Sequence, residues 1–271
     1  MPRPRRRGCT AATRYLGLPM SVVPRPHPPA LPHGELREVL PDFFFVTGTL
    51  AFPGPLPMRS SRNMTVVRAQ GRLVLVNSVR LDEPGLAALD RLGKVTDVIR
   101  LAGNHGMDDP FYAARYGAKV WALRGQRYTA GFDTKAADTY FAPDVEIDGS
   151  TTLPLEGATL HRIESSPPEG LLVLPQHGGV IVSGDCLQNW AAPDEYFNWL
   201  ARPVMRAMGF MVPHNVGPAW RMQAKPPHAD LRAILGLPFG NVLPAHGTPV
   251  LGGARELYRP VIDRVAPART A

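Results

Sequence analysis

Three short segments gather the side chains in this sequence that can do metal or acid–base chemistry. They are Asn104-His105-Gly106-Met107-Asp108-Asp109, Ser183-Gly184-Asp185-Cys186 and Pro244-Ala245-His246-Gly247-Thr248-Pro249. Each follows a stretch that reads as a β-strand, and strand ends are where a sheet brings ligands together from distant parts of a chain. His105, Asp108, Asp109, Asp185 and His246 form a carboxylate-rich set with some imidazole nitrogen. Such a set suits one divalent ion, Zn²⁺, Fe²⁺ or Mn²⁺, better than the thiolate cage of a structural zinc. An ion there would acidify a bound water and polarise a carbonyl or phosphoryl oxygen, with Asp108 as the candidate base. Structural roles compete for the same residues. The His-Gly pairs serve as turns, Asp185 caps a helix, and Asp108 or Asp109 caps the helix that follows; in that case no metal binds.

The elements that must position these segments follow from hydrophobic period. Asp42–Thr49 reads as a strand, and Met64–Ala69 and Arg72–Val79 read as two more joined by a tight turn at Gln70-Gly71. From Glu83 the period becomes helical, with Leu86, Leu89 and Leu92 on one face and Gly93 as the stop. A strand (Val95–Ala102), a short helix (Phe111–Tyr116) and a strand (Lys119–Leu123) come next. Strands return at Ala158–Ile163, Leu171–Pro175 and Val180–Ser183, the last two joined at His177-Gly178-Gly179. The stretch Asn189–Gln223 reads as helical and is rich in Trp, Phe and Met. A helix (Ala229–Leu235), a strand (Asn241–Pro244) and a closing helix (Ala254–Val265) complete the chain. Strands then helices, twice over, predict an α/β fold: an αββα sandwich of two mixed sheets with helices on the outer faces.

The strand-Gly-Asp segment at Asp185 and the strand-x-x-His-Gly-x-Pro segment at His246 resemble the two downstream ligand motifs of the metallo-β-lactamase superfamily, over roughly residues 42–265. That resemblance implies a histidine-rich loop, His-x-His-x-Asp-His, in the place of residues 103–109. Here it is degenerate. Without gaps, Gly103 falls on the first histidine, His105 on the second, Met107 on the aspartate and Asp108 on the third histidine. With one inserted residue, Asp108 takes the aspartate position and Asp109 that of the third histidine. The family's further histidine, in a Gly-His-Thr-Pro-Gly segment, corresponds to Glu164-Ser-Ser-Pro-Pro-Glu-Gly170, which has none; His161 lies three residues early. The run Leu73–Leu81, Leu92-Gly-Lys-Val95 and Gly103-Asn104-x-Gly are similar to a branch of the superfamily with no established substrate.

Composition narrows the alternatives. Arg3, Arg5, Arg6, Arg7 and Arg14 supply five positive charges without an acid among residues 1–19; removing five from the formal +7 leaves +2 for the remainder. The basicity therefore belongs to a proline-rich tail, expected to be disordered over 1–38 ahead of a domain at 39–268, and it gives no ground for a nucleic-acid partner. Translation starting at Met20 in place of Met1 would remove most of it. The tail lacks a continuous apolar core for an export signal, and no apolar run reaches the roughly 20 residues of a membrane span. Two distant cysteines, Cys9 and Cys186, fit a reducing cytoplasm. Dinucleotide, P-loop, serine-hydrolase and Cys-x-x-Cys motifs are missing. Two functional expectations follow. One is a metal-dependent hydrolase of a small ester, lactone or phosphoester. The other is a non-catalytic relative that binds a ligand or partner through the apolar 190–220 region, which could also serve as a homodimer face.

Overall fold

The computed structural model describes residues 27–52, 57–126 and 142–268. A seven-stranded sheet runs in sequence order: β1 (Arg37–Leu40), β2 (Phe43–Ala51), β3 (Arg59–Ala69), β4 (Arg72–Val76), β5 (Lys94–Arg100), β6 (Lys119–Leu123) and β7 (Val145–Ile147). Its first four strands are antiparallel and its last four parallel. The crossovers from β4 to β5 and from β5 to β6 are helices α1 (Glu83–Leu92) and α2 (Asp109–Tyr116), as parallel pairing requires. The second sheet holds β8 (Thr159–Ile163), β9 (Glu169–Leu174), β10 (Val180–Ser183) and β13 (Asn241–Pro244), in the order β13-β10-β9-β8. Between β10 and β13 come a two-stranded ribbon, β11 (Leu187–Gln188) with β12 (Asn215–Val216), and helices α3 (Ala201–Ala207), α4 (Pro218–Ala224) and α5 (His228–Ala233). Helix α6 (Ala254–Val265) closes the chain.

The period-2 pattern of the strands sorts their side chains into layers. Phe43 and Phe45 of β2, Leu172 and Leu174 of β9, and Val180 and Val182 of β10 meet between the sheets. Their alternates face outward. Phe44 and Val46 pack with Leu86 and Leu89 of α1, while Leu171, Val173 and Ile181 pack under Leu231, Tyr258 and Ile262. The result is the αββα sandwich that the sequence predicts. Gln70 and Gly71 form the expected turn, with φ of 52° and 74°, the positive pair that a type I′ hairpin needs.

Two regions differ from expectation. The boundary expected at 38/39 falls inside β1, and residues 32–34 already lie along β2, where Thr49 donates to the Pro32 carbonyl (2.9 Å) and Gly34 to that of Thr47 (2.8 Å). The basic residues 1–19 lie outside the described residues. The long helix expected over 189–223 is instead an irregular run holding α3, β12 and most of α4. Gly209, at a φ of 79°, follows α3, and Pro213, Gly217 and Pro218 punctuate what remains, with Pro218 opening α4. The apolar residues of this region still pack: Trp190, Phe197, Met205 and Phe210 are buried together, while Trp199 is 81% exposed. No helix among the described residues is long and apolar enough to cross a membrane.

Candidate metal site and its cavity

His105, Asp185 and His246, which lie 80 and 61 residues apart in sequence, meet at the ends of β5, β10 and β13. Their nearest ligand atoms all lie within 4.8 Å of one another. His246 Nε2 stands 3.0 Å and His105 Nε2 3.4 Å from the same oxygen, Asp185 Oδ1. Ligands held about 2.0–2.2 Å from one ion are themselves roughly 3–4 Å apart, so the donor set fits a single divalent cation.

Each ligand is fixed by its own strand end. His246 lies in a loop clamped from both sides. Asn63 of β3 donates to the carbonyls of Pro244 (2.9 Å) and Gly247 (2.7 Å), and Asn189 N donates to His246 O (2.9 Å). Gly247 has a φ of 92°, and a Cβ there would sit 2.1 Å from Asn189 O, so only glycine allows this approach. The ring is oriented by Ser61 O, 3.3 Å from Nδ1, and lies against Trp190 with centroids 4.9 Å apart. A proton on Nδ1 shared with that carbonyl leaves the Nε2 lone pair for a metal, the common way of fixing the tautomer. Asp185 sits in the turn after β10, where buried Glu169 accepts from Cys186 N through Oε1 (2.6 Å) and Gln188 Nε2 donates to Asp185 O (3.0 Å). Asn77 joins the two loops by donating to Ser183 O (3.0 Å) and accepting from Leu101 N (3.2 Å).

Asp108 and Asp109 do not join this group. Asp108, read from sequence as a ligand and base, instead pairs with Arg62 through Oδ2, which also accepts from Arg80 N (2.7 Å). Asp109, fully buried, takes Arg100 Nε at 3.0 Å on one oxygen and Ser78 Oγ at 2.6 Å on the other. The Arg100–Asp109 pair also dictates the His105 loop. Arg100 donates to Gly106 O (3.1 Å), and a Cβ on Gly106, whose φ is 97°, would lie 2.1 Å from Arg100 Nε. Asp109 is thus the first residue of α2 and a buried counter-ion.

The position that the superfamily resemblance would fill with its first histidine is tightly packed. Gly103 stands where the first histidine would be, and a Cβ there would meet Pro167 Cγ at 3.1 Å. Pro167 belongs to the segment matched to the family's Gly-His-Thr-Pro-Gly. The two segments thus pack against each other. Cys186 is fully buried in the outer core and its thiol is pushed up by burial, while His161 Nε2 faces the Asp230 carbonyl (3.4 Å).

Electrostatics follow from burial and pairing. Burial lowers the His105 imidazole below its ordinary value, against the opposing pull of Asp185. Burial resists ionisation of Asp185, yet His105 and His246 hold its carboxyl below the usual carboxylate range. Burial, and then the Asp185 charge, push Glu169 well above the usual range. Beside these groups opens a cavity of about 350 Å³, lined by Asp185, His246 and Glu169 on one side and by Trp190, Met205, Phe210 and Trp220 on the other. Sequence reasoning missed Glu169, although it lies in the segment compared with the family's histidine motif.

No protein-family profile matches the sequence, and no curated protein matches it. Solved structures do. The metallo-β-lactamase FIM-1 from Pseudomonas aeruginosa, crystallised in a mono-zinc form, superposes with a TM-score of 0.56 at 11% identity, over 90% of this chain and 100% of that one. The chain has the metallo-β-lactamase fold. A metallo-β-lactamase from Hirschia baltica aligns with a TM-score of 0.54 at 12% identity over 84% and 97% of the two chains, and one from Erythrobacter litoralis with 0.51 at 14% over 86% and 95%. Within the metallo-β-lactamase fold, His105, Asp185 and His246 occupy loops at the strand ends that the sequence motifs single out.

Proposed function

We propose that the protein is a one-metal hydrolase of a small ester, lactone or phosphoester. The observation that carries this reading is the convergence of His105, Asp185 and His246 at the edge of the cavity. A divalent ion bound by these three residues would supply an acidified water and a Lewis acid toward a carbonyl or phosphoryl oxygen. Zn²⁺, Fe²⁺ and Mn²⁺ all suit two imidazoles and a carboxylate.

The chain's own groups have distinct tasks in this reading. Asp185 faces imidazoles and no guanidinium, so its negative charge is available to a cation. Asp108 is held by Arg62, so the proton-handling group is reassigned to Glu169. Glu169 lines the same cavity, its Oε2 meets no protein partner, and burial and the Asp185 charge raise its pKa, which favours the protonated carboxyl. That proton can pass from Oε2 to a leaving oxygen, the role of a tuned buried carboxyl. Trp190 and Phe210 exclude water from the apolar side.

A second reading, a non-catalytic binding protein, is favoured by the histidines that the resemblance implies and the sequence lacks, at Gly103 and in residues 164–170. Purified protein, stripped with chelator and reloaded with each metal in turn, separates the two in a hydrolysis screen of aryl esters, lactones and aryl phosphates. Turnover that appears with metal and disappears in His246→Ala supports the hydrolase. Turnover unchanged by chelator, or none with any metal, rejects it.

A further inference from the structure

The cavity beside the three ligating side chains has a chemical bias of its own. At about 350 Å³ it stands near the lower end of the roughly 300–1,000 Å³ usual for small-molecule sites. Its ionisable lining residues are Asp185, Glu169 and His246, and among the described residues no lysine or arginine lines it. The nearby buried guanidiniums of Arg62 and Arg100 are directed at Asp108 and Asp109. Three lining residues each carry a buried side-chain oxygen without a protein partner: Ser60 Oγ, Glu169 Oε2 and Gln188 Oε1. The Gln188 amide is oriented by its Nε2, which donates to Asp185 O (3.0 Å), so Oε1 remains as an acceptor. These oxygens are fully buried, whereas Asp185, whose side chain is 17% exposed, presents an acceptor at the cavity wall.

We propose that this cavity binds an uncharged molecule with an apolar or aromatic body and at least one N–H or O–H donor, and that it rejects carboxylates and phosphomonoesters. In the metal-free protein an anion entering it would lose its hydration and meet the Asp185 charge, with no lysine or arginine among the described lining residues to compensate. A neutral ligand gives up less water, stacks on Trp190, Phe210 or Trp220, and donates to the exposed edge of Asp185. The inference deepens the hydrolase reading, selecting neutral esters and lactones over phosphoesters, but it rests on the cavity walls and not on a metal.

The test is calorimetric titration of the full chain, freed of metal by chelator, with three probes that share a naphthalene body: N-(2-naphthyl)acetamide, 2-naphthoate and 2-naphthyl phosphate. The acetamide is expected to bind at least about tenfold more tightly than either anion, the penalty of an uncompensated buried charge. Gln223→Lys, which adds a cation to the lining, is expected to strengthen naphthoate binding several-fold while leaving the acetamide unchanged. Equal or tighter binding of the anions by wild type, or no binding of the acetamide, overturns the proposal. Metal-loaded protein assayed on 2-naphthyl acetate and 2-naphthyl phosphate separates the two readings. Acetamide binding without hydrolysis of either sinks the hydrolase and keeps the cavity's preference. Hydrolysis of the phosphate alone keeps the hydrolase and sinks the preference.

Discussion

Asp108 and Asp109 at one end of the His105 loop and Asp185 across from it are the same residue type within one corner of the fold, yet they do different work. The first two face guanidiniums, from Arg62 and Arg100, and are neutralised where they lie. Asp185 faces two imidazoles, which leave a negative charge for a cation to complete. What a carboxylate in this corner can do is thus set by its partner: a guanidinium neutralises it, whereas imidazoles leave it open to a cation.

The comparison can be broken most forcefully at Asp109. Asp109→Ala strips the buried Arg100 of its carboxylate and is expected to cost about 3–5 kcal/mol of unfolding free energy, read from urea denaturation. A loss below about 1 kcal/mol would mean that the pair is not the scaffold of the loop. Asp185→Ala should do the reverse. Metal affinity should fall by more than the 10–100-fold typical of losing a supporting group, with little change in the urea midpoint. Next in size is Gly103→His. Packed against Pro167, the added side chain should destabilise the fold by about 1–3 kcal/mol and bring in no second ion, as metal analysis would show. A second equivalent of metal would mean that the closed half of the site still opens.

The smallest expected effect is a pH dependence. The His105 pKa is lowered on folding, so below the ordinary histidine value the unfolded chain takes up a proton that the folded one refuses. Stability should therefore fall as pH drops from about 7.5 toward 5.5. Glu169, whose pKa is raised, contributes with the opposite sign in this window, because the folded chain keeps a proton that the unfolded one releases. The quantity to measure is the difference between metal-free wild type and His105→Gln in urea midpoints at the two pH values. A variant that loses as much stability as wild type would remove His105 from the account.

The strands were legible where one face is buried against each neighbour, as in Leu171–Leu174 and Val180–Val182, because alternation alone assigns each side chain to a layer. His105, Asp185 and His246 were legible as a set because each ends such a strand. The fate of Asp108 and Asp109 was not. Arg62 lies on β3, 46 residues before Asp108 at the start of α2, and only the folded sheet brings the two together. Arg100 is nine residues from Asp109, at the end of a strand that reads as apolar. The stretch 189–223 was misread as helix because its Trp, Phe and Met residues do pack, but around short elements whose breaks lie at Gly209, Gly217 and Pro218.

The division of labour between the acids is tested most directly by calorimetric Zn²⁺ titration of chelator-stripped protein, comparing wild type, Asp185→Asn and Asp108→Asn, with folding of each variant checked by circular dichroism. One equivalent bound by wild type and by Asp108→Asn, and none by Asp185→Asn, is the predicted result. Binding that survives Asp185→Asn but is lost in a folded Asp108→Asn protein would contradict it and return the metal to the carboxylates that the structure pairs with arginine.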